Sequence, residues 1–348
     1  MKFPTPRGPL SGALLELLRS PADGAAGTVA GWNREVAEAV DRAQDISTQE
    51  DLQLTLFCLY ELHYSSLDGA DEQWEWHPGL LAGRALIEAA FEQQLRAAVE
   101  LPDLDAATSD DVAQTLFSMA AADSGPSMSR YVAKKASEEQ LLEFLIHKSI
   151  YQLKEADPHT WAIPRLTGRA KAAMVEIQSD EYGGGRAARM HSALFARTMR
   201  MMELDDSYGS YLDAVPALTL ANNNLMSMFG LNRRLRGAIV GHLAIYEMTS
   251  SQPNRLYGNG FRRHGRSPEV TEYFDEHVEA DAVHEQIAGR DLAGGLFESE
   301  PKLLADIYFG AAAALLLDGR STARTMSAWE AHGSSLLTAL PQQAGLAS

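Results

Sequence analysis

Apolar residues recur at positions i, i+3, i+4 and i+7 over long stretches of the chain, which is the spacing of one face of an α-helix. Segments rich in polar residues, glycine and proline separate these stretches. No stretch alternates apolar and polar residues as a half-buried strand would, and no internal repeat is visible. The pattern predicts an all-α protein, whose first half contains these helices: 10–19, 33–43, 48–63, 83–99, 109–119 and 138–155.

The second half of the sequence is also predicted to be helical. Its predicted helices are 165–202, interrupted within 181–191, then 238–249, 267–288, 302–317 and 325–340. The segment LYGNGFRRHGR, 256–266, is basic in an acidic protein and is predicted to be a loop, either a solvated linker or a receptor for a substrate carboxylate. An earlier loop carries Trp74 and Trp76, and it is expected to form a lid or a packing plug over the N-terminal helices.

The composition is that of a soluble globular protein, since 45% of the 348 residues are hydrophobic and 22% are charged. A formal net charge of -17 argues against nucleic-acid binding, which needs clustered lysine and arginine. No run approaches the roughly 20 apolar residues that span a bilayer, and residues 1–20 lack the unbroken apolar run of a signal peptide. The single cysteine, Cys58, argues against a disulfide framework and a cysteine-based metal site, and it fits the expected cytoplasmic location.

The helix predicted at 267–288 carries His277, Asp281 and His284 at i, i+4 and i+7, within roughly 60° of one face. Two imidazoles and a carboxylate on one stripe suit a first-row transition metal. The two histidines are roughly 10 Å apart along the helix axis, which favours two neighbouring ions over a single one. The alternative interpretation is a solvated acidic face that contains histidines by chance.

Ligand-type residues also occur on the helices that precede this one. Glu155 ends its predicted helix, and Glu247 lies near the end of an apolar helix, where a buried carboxylate needs a partner or a metal. Glu181 and His191 flank residues 183–185, which are all glycine. On a straight helix these two side chains would be about 15 Å apart. They can therefore share a metal centre only if the helix unwinds at the glycines.

Three other polar residues are not expected to be ligands. His242 lies on a different helix face from Glu247 and is predicted to be a core histidine. Glu61 and His63 are two positions apart, on different faces of their helix, so they do not form a ligand pair.

If the candidate side chains converge, the site has four carboxylates and three imidazoles. This set balances the charge of two Fe(II) ions, and without metal the carboxylates would repel one another. Mixed oxygen and nitrogen ligands favour iron or manganese over zinc. The H-E-x-x-H pattern of zinc hydrolases is absent. A ferritin-type bundle would carry Glu-x-x-His on two helices, whereas this chain has only Asp281-Ala-Val-His284.

The order of these residues resembles that of the heme-oxygenase-like diiron oxidases, also called iron-containing redox enzymes. The matching pattern is Glu155, then Glu181-Tyr182-Gly183 with His191, then Glu247, then His277-x3-Asp281-x2-His284. The resemblance implies a heme-oxygenase-like helical bundle, without heme, over residues 136–348. Residues 1–135 would form an N-terminal helical extension or cap that could serve as a homodimer surface. Two iron ions, cycling between Fe(II) and Fe(III), O2 as co-substrate and an external electron donor are implied as well.

The resemblance also implies roles for individual side chains. The implied ligands are Glu155, His191 and His284 for one iron ion, Glu247 and His277 for the other, and Glu181 and Asp281 as shared or bridging ligands. Substrate contacts are expected from Tyr182 and from three arginines that could pair with a substrate carboxylate: Arg233, Arg262 and Arg263.

His277 is the informative ligand, because an extra histidine here resembles the N-oxygenating members of the family. The resemblance implies an enzyme of specialised metabolism that oxidises the amine of an amino-acid-like small molecule to a hydroxylamine and then to a nitro product. A reductase would be its partner, and neither nucleic acid nor a membrane is expected as one. The first alternative is oxidation of carbon, by C–H abstraction that leads to decarboxylation, C–C cleavage, desaturation or ring closure. The second is a non-catalytic helical binding module.

Overall fold

The computed structural model describes residues 1–122, 125 and 127–338, without the side chains of 279–282. The prediction of an all-α protein is confirmed, since these residues form helices and no strand. The α-helices are α1 (Pro9–Leu18), α2 (Ala26–Arg42), α3 (Glu50–Glu61), α4 (Pro78–Ala98), α5 (Ser109–Ala122), α6 (Met128–Lys134), α7 (Glu138–Gln152), α8 (Asp157–Thr160), α9 (Gly168–Glu181), α10 (His191–Met201), α11 (Ala217–Leu231), α12 (Arg236–Met248), α13 (Ser251–Arg263), α14 (Pro268–Gln286), α15 (Gly294–Ser299) and α16 (Leu304–Glu330). A π-helical segment, Ile287–Ala293, joins α14 to α15.

The prediction of a loop at 256–266 is wrong, because most of this segment belongs to helix α13. Its glycines do not break the helix but allow neighbours to approach. A Cβ added to Gly260 would lie 2.8 Å from the carbonyl oxygen of Val132 in α6. Close packing between α13 and α6 therefore outweighs the low helix propensity of glycine.

The two helices predicted at the C-terminal end are a single helix, α16, which ends at Glu330. Gly319 lies in its middle, and a single glycine costs too little to break a long helix that packs on α11 and α12. Residues 331–338 are not helical, and the rest of the predicted last helix lies outside the described residues. Helix α11 was not predicted because it is buried on nearly all sides and so lacks a polar face.

Helix α12 is the centre of the fold. It packs against α11, α14, α16 and the π-helical segment, and its residues from Arg236 to Ile245 are all buried. Gly241 faces the backbone of Ile307, and Gly310 faces the backbone of Ala238, with no room for a Cβ at either glycine. The close contact between α12 and α16 fixes the helix that carries Glu247.

The N-terminal helices share one hydrophobic core with the rest of the chain. Helix α3 packs on α11, α6 on α13, and α5 on the π-helical segment and α12. Trp74 is fully buried and donates a hydrogen bond to the carbonyl oxygen of Ser20, whereas Trp76 is exposed. Trp74 therefore has the packing role predicted for its loop. Among the described residues, no helix combines the length and apolar character needed to cross a bilayer.

Candidate metal centre

Six of the seven predicted ligand side chains converge on one buried site. Helices α9, α10, α12 and α14 and the turn after α7 carry them. Each of the six is at most 8% exposed. These residues are Glu155, Glu181, His191, Glu247, His277 and His284. The side chain of the seventh, Asp281, lies outside the described residues.

The six side chains form two overlapping groups that could each hold a metal ion. Glu155, Glu181, His191 and His277 offer four ligand atoms that all lie within 4.8 Å of one another. Glu181, Glu247 and His284 form the second group on the same criterion. The carboxylate of Glu181 belongs to both groups.

The two histidines of α14 belong to other ligand groups than the resemblance implied. The resemblance implied His284 with Glu155 and His191, and His277 with Glu247. In the structure, His277 accompanies Glu155 and His191, and His284 accompanies Glu247. Nε2 of His277 lies 3.6 Å from Glu155, and Nδ1 of His284 lies 3.4 Å from Glu247. The packing of α14 against α10 and α12 decides which ligands each histidine approaches. The spacing of the two histidines along α14 does not determine this packing.

The glycines after Glu181 bring it to His191. Helix α9 ends at Glu181, and α10 begins at His191. Gly183, Gly184 and Gly185 between them have φ angles of 64°, 58° and 76°, a backbone region that favours glycine. The chain reverses there, and Oε2 of Glu181 lies 2.9 Å from Nδ1 of His191. The predicted unwinding of the helix at the glycines is confirmed.

Glu155 lies in a turn and not in a helix as predicted, because α7 ends at Gln152. Ala156, with a φ of 78°, ends this turn before α8. The neighbouring Lys154 forms a buried ion pair with Glu61 of α3, which also accepts a hydrogen bond from Tyr208 at 2.8 Å. An N-terminal helix thereby anchors the turn that presents Glu155.

Tyr273 connects two of the candidate ligands. Its hydroxyl lies 2.9 Å from both carboxylate oxygens of Glu155 and donates to them. Its carbonyl oxygen accepts from Nδ1 of His277 at 2.8 Å. This contact directs Nε2 of His277 towards the site, as hydrogen bonds to the other ring nitrogen commonly do for metal-binding histidines. The signal in the sequence was the i, i+4 spacing of Tyr273 and His277 on α14.

Replacing Tyr273 with phenylalanine is expected to weaken metal binding by about 10- to 100-fold, because the carboxylate of Glu155 loses its orienting donor. The ring keeps its packing, so the fold should remain. Anaerobic Fe(II) titration of the purified chain would measure the effect. Tyr257→Phe is the matched control, since no hydrogen bond of its hydroxyl is seen in the described part of the chain. Equal affinities of the two variants would contradict the role of Tyr273.

His284 is held by acidic partners on both sides. Its Nε2 lies 3.0 Å from the carboxylate of Asp180, which is mostly exposed, and its Nδ1 faces Glu247. Burial disfavours the imidazolium, but Glu247 and Asp180 outweigh it and raise the pKa of His284 to about 9. Asp180 was not predicted, although it directly precedes Glu181 in the sequence.

The other candidate ligands also have shifted pKa values. Burial opposes ionisation of Glu155, but the hydrogen bond and charge of His277 hold its pKa below the ordinary value. Burial raises the pKa of Glu247 against the opposing contact with His284. Burial disfavours the charged form of His191, yet Glu181 raises its pKa. The carboxylates and imidazoles thus stabilise one another as acid–base pairs, and a metal ion would take the place of the protons.

The donor set fits iron. It consists of carboxylate oxygens and imidazole nitrogens without sulfur, which suits iron or manganese. Nδ1 of His191 is buried and, among the described residues, has no hydrogen bond of good geometry, although the Glu181 carboxylate is 2.9 Å away. A buried polar atom without a hydrogen bond is unfavourable, and coordination of a metal ion would satisfy it.

The predicted substrate residues do not line the cavity next to the site. The Tyr182 hydroxyl contacts Asp157 and Thr160, at 2.8 Å and 2.9 Å. Arg262 pairs with Asp275, and Arg263 donates to backbone carbonyls near Ala136.

Arg233 is exposed in a short 3-10 helix, Arg233–Leu235. The three arginines thus lie at the surface or are paired with nearby groups. None of the three lines this cavity, and their contact with a substrate carboxylate stays a prediction.

A cavity of about 400 Å³ adjoins the candidate metal ligands. Glu155, Glu181, Glu247 and His277 line its inner end. Aromatic side chains form much of its wall: Phe144, Tyr151, Phe195, Tyr246, Tyr257 and Phe274. Its charged side chains other than the candidate ligands were not predicted, and they are Arg130, Lys148 and Asp318.

Two further buried histidines lie beside this site. His159 and His242 face each other, with 3.1 Å between Nε2 and Nδ1. Burial lowers the pKa of His159 to about 3, so its ring is neutral at physiological pH. Neither belongs to the candidate ligand groups of the described residues. His242 is buried in the core, as predicted.

Comparison with known proteins agrees with this arrangement. The model of the family described as "Iron-containing redox enzyme" matches residues 142–319, just over half of the chain. The nitrosourea synthase of Streptomyces achromogenes subsp. streptozoticus is 28% identical to the chain over 147 residues. The aligned part is 42% of this chain and 31% of that protein, so the chain spans about a third of the relative's length. The protein belongs to the heme-oxygenase-like family of iron-containing redox enzymes.

Proposed function

We propose that this protein is an O2-dependent non-heme diiron oxygenase that oxidises the amine nitrogen of an amino-acid-like small molecule. The observation that carries the proposal is the carboxylate of Glu181, which belongs to two adjacent ligand groups. A single shared carboxylate between two sets of nitrogen and oxygen donors suits two ions side by side better than one.

In this proposal, each iron ion has its own histidine and glutamate ligands. Glu155, His191 and His277 would hold one ion, Glu247 and His284 the other, and Glu181 both. When bound, two ferrous ions supply the electrons that reduce O2 and so activate it for oxygen transfer. Tyr273 and Asp180 orient their ligands, and burial of the site excludes bulk water.

Two features favour nitrogen over carbon as the atom that is oxidised. The first is His277, the additional imidazole, which lies with Glu155 and His191. The second is the likeness to a protein named nitrosourea synthase, since a nitrosourea carries oxygen on nitrogen. The first oxidation would convert R–NH2, O2, two electrons and two protons into R–NHOH and water. An external reductant supplies the electrons, and repetition would give nitroso and nitro products.

The residues of the chain would mainly position the substrate. The amine must approach the inner end of the cavity with its lone pair unprotonated, since a nitrogen that accepts oxygen cannot carry its extra proton. The aromatic wall, which includes Phe144, Tyr257 and Phe274, excludes water and restricts the orientation of the substrate. Holding the nitrogen close to the metal ligands provides the proximity from which much of the rate derives.

The experiment is anaerobic loading with Fe(II), removal of unbound metal, iron analysis, and then exposure to ¹⁸O2 with a panel of amines. We expect two iron ions per chain and a product with ¹⁸O on nitrogen, detected by mass spectrometry. Loss of CO2 or formation of an alkene without an N–O bond would contradict N-oxygenation and indicate oxidation of carbon. Failure to retain iron in a folded chain would contradict the enzyme proposal and favour a helical binding module.

A further inference from the structure

Two side chains of opposite charge lie at the part of the cavity away from the candidate ligands. Lys148 is half-buried on α7, and Asp318 is exposed on α16. Both line the main cavity and also a smaller neighbouring cavity of about 100 Å³. Within the described part of the chain, no ion pair or hydrogen bond involves either side-chain charge. They are therefore available to a molecule in the cavity.

Lys148 shares a helix face with residues that lead to the metal ligands. Lys148, Gln152 and Glu155 follow one another at i, i+4 and i+7, on one side of α7 and the turn after it. The four steps from Lys148 to Gln152 are helical and rise about 6 Å along the axis, and the turn after α7 leads from there to Glu155. Oε1 of Gln152 is buried and forms no hydrogen bond with the residues that the structure describes, and Gln152 lines both cavities. A cation, a hydrogen-bond acceptor and a metal ligand thus follow each other along the wall.

Asp318 lies on a different helix, α16, and lines the same cavity. Its carboxylate is close enough to Tyr246 and Tyr257 that its charge, after burial, contributes to raising the pKa of both phenols. Both tyrosines line the two cavities together with Lys148. The outer cavity therefore carries one positive and one negative group on different helices, together with aromatic rings.

We propose that Lys148 and Asp318 bind the head group of a zwitterionic α-amino acid, whose terminal nitrogen reaches the metal ligands. Lys148 would bind the carboxylate of the amino acid, and Asp318 would bind its α-ammonium group. Oε1 of Gln152 would accept a hydrogen bond from an N–H group of the amino acid's side chain. A diamine would place a second cation near Lys148, and a monocarboxylate would leave Asp318 without a partner. Because the helical part of this wall alone rises about 6 Å, the site favours amino acids with a long side chain that ends in nitrogen. This inference rests on the proposed function and deepens it.

The test is ligand binding by calorimetry without O2, to the full-length chain with and without Fe(II). The probes are L-lysine, L-ornithine and L-arginine, their decarboxylated forms cadaverine, putrescine and agmatine, and the deaminated analogue 6-aminohexanoate. At least one of the amino acids should bind about tenfold more tightly than its decarboxylated form. L-Lysine should also bind about tenfold more tightly than 6-aminohexanoate.

The variants separate the two charges. Lys148→Met should remove the preference for the amino acid over the decarboxylated form, and Asp318→Asn the preference over the deaminated form. Lys171→Met is the control for the lysine, because Lys171 is half-buried on α9 and lines neither cavity. Glu330→Gln is the control for the aspartate, as an exposed acid on the same helix. Both controls should keep both preferences.

The proposal is overturned if none of the probes binds, if the decarboxylated forms bind equally well, or if both preferences survive the two substitutions. A carboxylate preference that survives Lys148→Met but is lost in Arg130→Met would also overturn it, by assigning the carboxylate to the other cation of the cavity. Iron analysis of the same samples tests the proposed function separately. Two iron ions per chain without any head-group preference would contradict this inference alone.

Discussion

Replacing Glu181 with glutamine is expected to abolish stable binding of both metal ions. This carboxylate belongs to both ligand groups, so one substitution removes a donor from each. The neutral amide is a weaker ligand for a hard cation, and it no longer offsets the positive charge of two ions. We expect the iron content to fall from two ions per chain to less than one, with affinity lowered more than about 100-fold. Metal analysis after anaerobic loading and gel filtration would measure it.

The matched control is Glu176→Gln on the same helix. Glu176 is exposed on α9 and belongs to neither ligand group, so its substitution changes the net charge equally without touching the site. It should leave the iron content unchanged. Retention of one tightly bound ion by Glu181→Gln would show that the carboxylate serves a single ion. Retention of both would contradict the shared-ligand assignment.

Helix geometry could predict the two histidines of α14 as ligands, whereas the other candidates depended on the order of residues that resembles the family. His277 and His284 are seven residues apart on α14, so they were expected on one face, about 10 Å apart. That distance suggested that the histidines serve different ions. It did not determine which of the two accompanies Glu155, because the packing of α14 against α10 and α12 decides this.

The charged side chains that line the cavity could not be predicted from residue type alone. Arg262 was a candidate because it is basic in an acidic protein, but α13 packs along α14, where Asp275 neutralises it. Lys148 gave no comparable signal, because a half-buried lysine on an amphipathic helix is common. Only the cavity distinguishes it from other lysines of the chain. Charge in the sequence thus indicates potential partners, while packing decides which charges remain available.

In the turn after Glu181, the lack of a side chain at Gly183 allows the close backbone approach that holds Glu181 near His191. Gly183 has a φ of 64°, and a Cβ there would lie 2.5 Å from the carbonyl carbon of Arg189 and 2.6 Å from the nitrogen of Met190. Both atoms belong to the backbone, so a rotamer change cannot relieve the clash. Alanine at this position would have to open the loop that holds Glu181 against His191.

Gly183→Ala is therefore expected to lower both stability and iron binding, whereas Gly184→Ala should lower stability alone. Gly184 has a similar φ of 58°, but its Cβ would meet only a flexible end of Arg186, at 3.8 Å. Its substitution should cost about 1 kcal/mol of backbone strain. Gly183→Ala adds the displacement of the loop, so its melting temperature should fall further and its iron content should drop below that of Gly184→Ala. Thermal unfolding of the metal-free chains and anaerobic Fe(II) titration would separate the two effects. Equal iron binding by both variants would mean that the loop accommodates the methyl group without moving Glu181 away from His191. The close backbone approach at Gly183 would then not be what positions the two ligands.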